Sequence, residues 1–122
     1  MQNEKEEFKK NFIKRLICYS VETVRFCEDL LAKRRYFTIG DQLIRSATSI
    51  GANIVEAKSS SSRRDYLKFF EIALKSANET KYWLIVLREL KEDRDAVNKL
   101  LSEAEEISRV IGSSVLTLKG KK

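Results

Sequence analysis

The stretch LIRSATSIGANIVEA (43–57), followed after a serine–arginine turn by YLKFFEIALKSANETKYWL (66–84), decides the architecture. In the first part, Leu43, Ala47, Ile50, Ile54 and Ala57 recur at helical spacing, with Ile39 before them and Gly40 and Gly51 close by. Small residues on such a face let a neighbouring backbone approach closely. In the second part, Tyr66, Phe69, Phe70, Ala73, Ala77, Thr80, Leu84 and Leu87 form the matching stripe. Between them Ser59–Ser62 breaks the pattern, and Ser62 with Asp65 three residues later reads as the cap of the following helix. Residues 43–90 are therefore an amphipathic helical hairpin.

The rest of the chain extends this pattern. With no proline and only four glycines in 122 residues, nothing in the composition argues for strands. The expected helices span about 5–34, 38–58, 62–90 and 95–118, in one domain covering residues 1–122. In the first helix, Phe12, Leu16, Tyr19, Thr23, Cys27 and Leu30 make one stripe; Ile13, Ile17, Val24 and Leu31 make a second beside it. So broad an apolar face fits either two neighbours in one bundle or a subunit interface. Thr38 is the expected N-cap of the second helix, with Asp41 in its first turn. The fourth helix follows a charged turn at 91–95 and turns Val97, Leu100, Leu101, Ala104, Ile107, Ile111, Val115 and Leu118 inward. Residues 115–119 alternate enough to suggest a strand, but a lone strand lacks a partner, so helix is preferred. Short connections favour antiparallel neighbours, hence an all-α, up-down-up-down four-helix bundle.

Composition removes several function classes. There is no histidine, no glycine-rich phosphate loop and no metal-ligand cluster. Cys18 and Cys27 lie nine residues apart on one helix, which at about 100° per residue puts them on opposite sides, so they read as free thiols. Nucleases that use an arginine–histidine pair are excluded. Glu56 and Glu79 as paired carboxylates for metal-assisted chemistry are the remaining enzymatic idea, and each has a structural explanation. The expectation is no catalytic residue, cofactor, metal or small-molecule substrate. No run is apolar enough to span a bilayer, and the first ten residues are not a signal peptide, so a cytoplasmic protein without a membrane partner is expected.

Polar residues within the hairpin invite a sharper reading. Arg45, Ser49, Asn53 and Glu56 cluster along one edge of the second helix, and Arg45 falls level with Ser76 and Glu79 of the third. One reading is a partly buried network that fixes register, with Arg45 pairing with Glu79, and Asn53 and Ser49 bonding between helices. The other is a solvated edge. Trp83, on the shoulder of the third helix, either covers a neighbouring helix or anchors an interface.

The ordered pattern Ser49-Ile50-Gly51-Ala52-Asn53-Ile54-Val55-Glu56, then Ile72-Ala73-Leu74 and Glu79-Thr80, resembles the bacterial "four helix bundle protein" family. That family is related to proteins encoded in intervening sequences of large-subunit ribosomal RNA genes. The resemblance is close over residues 45–90 and elsewhere rests on size and hydrophobic pattern. It implies an up-down bundle, a ring-like homopentamer without enzymatic activity, and a role with RNA or DNA.

Charge bears on that last implication. The chain carries a formal net charge of +6. In the up-down arrangement the start of the first helix, the second turn and the C-terminal tail share one end. That end gathers Lys9, Lys10, Lys58, Arg63, Arg64, Lys119, Lys121 and Lys122 as candidate nucleic-acid contacts. The plain alternative is a solvated surface. Aromatic residues are not interleaved with these charges in a way that suggests base stacking, so sequence-specific reading is not expected. Two functions remain: an oligomeric scaffold holding nucleic acid, or an oligomeric adaptor that binds only protein through apolar patches on the first or fourth helix.

Overall fold

The computed structural model describes residues 2–120, which form four helices: α1 Gln2–Ala32, α2 Phe37–Lys58, α3 Arg63–Glu89 and α4 Arg94–Leu118. Each connection is too short to let the chain do anything but reverse, so α1–α2, α2–α3 and α3–α4 pack side by side in sequence order. Contacts between α1 and α4 close the bundle and are sparser. The C-terminal stretch is helix through Leu118 rather than strand, and Gly120 then takes a left-handed φ of 71°.

The first α1 stripe is buried throughout, from Phe12 to Leu30. The second stripe is not uniform: Ile13, Val24 and Leu31 are half-buried, whereas Ile17 is 54% exposed. Across from α1, Leu43, Ile50, Leu84, Leu87, Ile107 and Ile111 fill the centre of the bundle. A methyl group at Gly51 would stand 3.3 Å from Leu16 Cβ, so glycine there permits the close approach of α1 to α2.

Two helix starts show how local and tertiary forces compete. At α3 the local rule wins: the Ser62 hydroxyl accepts the Asp65 N–H at 3.1 Å, a cap worth about 1 kcal/mol. At α2 it loses. Thr38 is not the cap; the helix begins at Phe37, with Tyr36 at the N-cap position in left-handed conformation (φ 52°) and no side-chain cap bond. The Tyr36 ring packs against the core and its carbonyl accepts the Gly40 N–H at 2.8 Å. Burial of an aromatic ring thus outweighs a backbone conformation that costs roughly 1–2 kcal/mol. At α4 the cap is Asp93, whose carboxylate accepts the Ala96 N–H at 3.2 Å. It lies in what the sequence shows only as a charged turn.

Candidate functional site

The polar residues of the hairpin form a short ladder of hydroxyls between α2 and α3. Thr80 Oγ1 bonds Ser46 Oγ at 3.0 Å, and one turn along, Ser76 Oγ bonds Ser49 Oγ at 3.0 Å. Asn53 does not cross to α3; its Nδ2 donates back along α2 to Ser49 Oγ (2.9 Å) and to the Ser49 carbonyl (2.8 Å). The expected Arg45–Glu79 pair does not form. Arg45 pairs with Asp41 one turn earlier at 3.0 Å, and Glu79 accepts the Trp83 indole N–H at 3.0 Å. Both side chains are exposed and both find partners four residues away on their own helix, which needs no ordering across the hairpin. Glu56 is exposed as well.

The network of Arg45, Ser49, Asn53, Glu56, Ser76 and Glu79 therefore divides into a half-buried hydroxyl core and a solvated charged edge. The Ser46–Thr80 rung, its most buried part, is hidden in the sequence because Thr80 reads as core and Ser46 as filler. Among the described residues no buried side-chain polar atom lacks a partner, and no three Cys, Asp or Glu side chains are grouped to hold a metal ion. Trp83 packs partly buried against the core, with Tyr82 edge-on at 5.1 Å.

The cysteines are separate. Cys18 is exposed, whereas Cys27 is buried, and burial pushes its thiol up to about 12. Burial likewise raises Tyr19, whose Oη donates to the Leu100 carbonyl at 2.9 Å. Beside it, Arg15 grips Glu103 with two bonds, 2.6 and 2.8 Å. These two links tie α1 to α4.

The two ends of the bundle differ. At one end, Arg35 of the α1–α2 turn pairs with the buried Glu92 of the α3–α4 turn at 3.1 Å, and Lys33 pairs with Asp29. At the other, the start of α1, the α2–α3 turn and the end of α4 meet. Arg63 Nη2 donates to the Leu118 carbonyl at 3.1 Å, Lys119 pairs with Glu71 at 2.9 Å, and the Lys9 ammonium lies 5.6 Å from the Tyr66 ring centre. Arg63 and Lys119 are thus partly engaged in holding the end together. Lys10, Lys58 and Arg64 stand exposed on it. Lys121 and Lys122 lie outside the described residues.

Aromatic rings from separate helices stand beside these charges in the folded bundle. Phe8 stacks on Phe12 (centroids 6.3 Å apart) and Tyr66 on Phe70 (4.8 Å). Phe8, Tyr66 and Phe70 line an open groove of about 640 Å³ between the start of α1, the start of α3 and the end of α4. Phe8 is 60% exposed. Reading along the chain misses this because Phe8 and Tyr66 are far apart in sequence. The usable signal is two aromatic pairs at i, i+4 spacing, both destined for the same end.

Comparison with known proteins adds the lineage. A family model described as 23S rRNA-intervening sequence protein matches residues 9–113. Among solved structures the chain is similar to a protein of unknown function from the S23 ribosomal protein family of Bacteroides thetaiotaomicron. The two are 34% identical with a TM-score of 0.80, over 85% of this chain and 97% of that one. Curated protein sequences give no match.

Proposed function

This chain belongs to the 23S rRNA-intervening sequence protein family, and from that premise we propose that it is a non-enzymatic, homo-oligomeric scaffold that holds nucleic-acid backbone on its basic end. The observation that carries the reading is the contrast in charge between the ends. At one end Arg35, Lys33 and Arg88 are paired with Glu92, Asp29 and Glu89. The exposed Lys91 and Arg94 there, though without an ion pair among the described residues, alternate along the chain with Glu92, Asp93 and Asp95, and Arg34 is exposed as well. Lys10, Lys58 and Arg64 at the other are exposed without an ion pair among the described residues. Cations not already engaged with carboxylates are those that phosphate can recruit, releasing counterions as it binds.

Repetition of that end in a homopentamer, which the family resemblance implies, multiplies weak contacts into useful avidity. The exposed Ile17 and Val21 on α1 suit coverage by a second copy. The same two residues support the second reading, a protein-only adaptor. The cytoplasm is the proposed compartment; no helix is long and apolar enough to cross a membrane among the described residues.

Filter binding of labelled RNA across a salt series, with light scattering during size exclusion, tests the scaffold. Expected are an oligomer and an affinity that falls steeply with salt. Lys58→Glu with Arg64→Glu should flatten the log–log salt slope by roughly 0.7–0.9 for each phosphate that is no longer neutralised. A monomer, or no binding at low salt, overturns the proposal in favour of a different role.

A further inference from the structure

We infer that the groove between the start of α1 and the end of α4 is a nucleobase site, which takes an unpaired base of single-stranded nucleic acid against the Phe8 ring while Lys5 and Lys9 meet its phosphates. The inference rests on the basic-end reading and deepens it. A backbone-binding surface needs only cations, and this one also has an exposed aromatic face.

Four features converge. Phe8 is 60% exposed although it stacks on Phe12, so one large ring is presented to solvent on a rigid helix. Exposing such a ring is unfavourable unless something covers it. The groove has a volume of about 640 Å³ and holds Tyr66 and Phe70 beside Phe8, within the range of small-ligand sites. Lys5 and Lys9 share its wall, and the Lys9 ammonium is already poised over the Tyr66 ring. Ser114 and Thr117 line the α4 side, where each hydroxyl donates to a carbonyl four residues back and keeps acceptor capacity for a base N–H. Glu4, also on the wall, is a second acceptor for an exocyclic amine and repels phosphate, which orients the base inward and the phosphate toward the lysines.

An apolar peptide is the competing occupant, and Phe8, Tyr66, Phe70 and Leu118 offer it apolar surface. The lysines on the same wall suit instead an occupant that brings phosphate together with a flat apolar face. Stacking on an aromatic face is tolerant of base identity, so the site prefers single strands over duplexes without reading a sequence.

The test is fluorescence anisotropy with three labelled probes: a single strand of about 12 nucleotides, the same strand built entirely of abasic sites, and its duplex. All three carry phosphates, and only the first offers free bases. The wild-type chain should bind the single strand about 10-fold tighter than the abasic strand, the scale of one base stacked on an aromatic ring. Phe8→Ala should abolish that ratio and leave abasic binding unchanged. Phe8→Leu, which keeps apolar bulk but removes the aromatic face, should lose most of it as well. Circular dichroism of both variants should match the wild type, because Phe8 contributes little to the core. Equal binding of the single and abasic strands, or a ratio unchanged in Phe8→Leu, overturns the nucleobase site and leaves the phosphate reading standing. Failure of all three probes to bind at low salt overturns both.

Discussion

The α2–α3 seam and the α1–α4 seam belong to the same bundle but are built from different material. Between α2 and α3 the facing side chains are small: Ala47, Ala73 and Ala77 with the hydroxyls of Ser46, Ser49, Ser76 and Thr80. The helices approach closely and the polar atoms meet directly. Between α1 and α4 the links are long: the Tyr19 phenol reaching the Leu100 carbonyl, and Arg15 reaching Glu103. Side-chain size sets interhelical distance, so the first seam packs densely and is bonded across by hydroxyls. The second packs sparsely, is tied at Tyr19 and Arg15, and borders the groove at the basic end. A short loop joins the dense pair, whereas the sparse pair joins the first helix to the last. The groove lies where chain connectivity enforces least.

The largest effect should come from adding bulk to the dense seam. Ala77 is fully buried, and Ala77→Leu should cost about 1–3 kcal/mol in urea unfolding. The same enlargement at the sparse seam, Ser114→Leu, should change stability by no more than about 0.5 kcal/mol. Equal losses at the two positions would dissolve the distinction.

Next comes the tether. Tyr19→Phe keeps the buried ring and removes the phenol's bond to the Leu100 carbonyl along with its interaction with the Thr23 hydroxyl, so a loss of about 1 kcal/mol is expected. The pH dependence carries a sign. Burial raises the Tyr19 phenol above its usual 10, so the stability of its protonated form is fully present below pH 10. It fades above that, as the unfolded chain ionises first. Tyr19→Phe should make the alkaline stability profile shallower between about pH 10 and 12; an unchanged slope would place the alkaline loss elsewhere.

The smallest effect is the ion pair. Arg15 and Glu103 side chains are 37% and 34% exposed, so solvent screening leaves a coupling of roughly 0.5–1 kcal/mol in a double-mutant cycle, despite the two-bond geometry. The coupling should shrink as salt rises. A salt-independent value would mean that the α1–α4 seam is drier than its exposure indicates.

Much of this is legible in the sequence because helix periodicity is a local signal. The run from Phe12 to Leu30 in α1 and that from Phe70 to Leu87 in α3 repeat every three or four residues, and Ser62 announces its own helix. Sequence and structure part where a residue has two rivals for its attention. Wheel geometry pairs Arg45 across the hairpin although Asp41 is nearer, and it caps α2 with Thr38 where packing of Tyr36 prevails. Ile17 belongs to an apolar face that fits either a second bundle neighbour or a subunit interface, and α1 turns only part of that face inward. The groove escapes for another reason. Its aromatic wall is assembled from chain segments at the start of α1 and the start of α3, and only the closed bundle brings them together.

Cys27 makes the molecule its own stopwatch. The thiol is fully buried and held protonated by its surroundings, whereas Cys18, on the same helix, faces solvent. A thiol reagent added to the native protein therefore marks Cys18 at once and then waits for the bundle to open before it can reach Cys27. The interval between the two reactions reports how often α1 leaves the core, without denaturant and without an added probe. When a bound strand or a second copy slows that second reaction, the delay measures how firmly the occupant holds α1 in place.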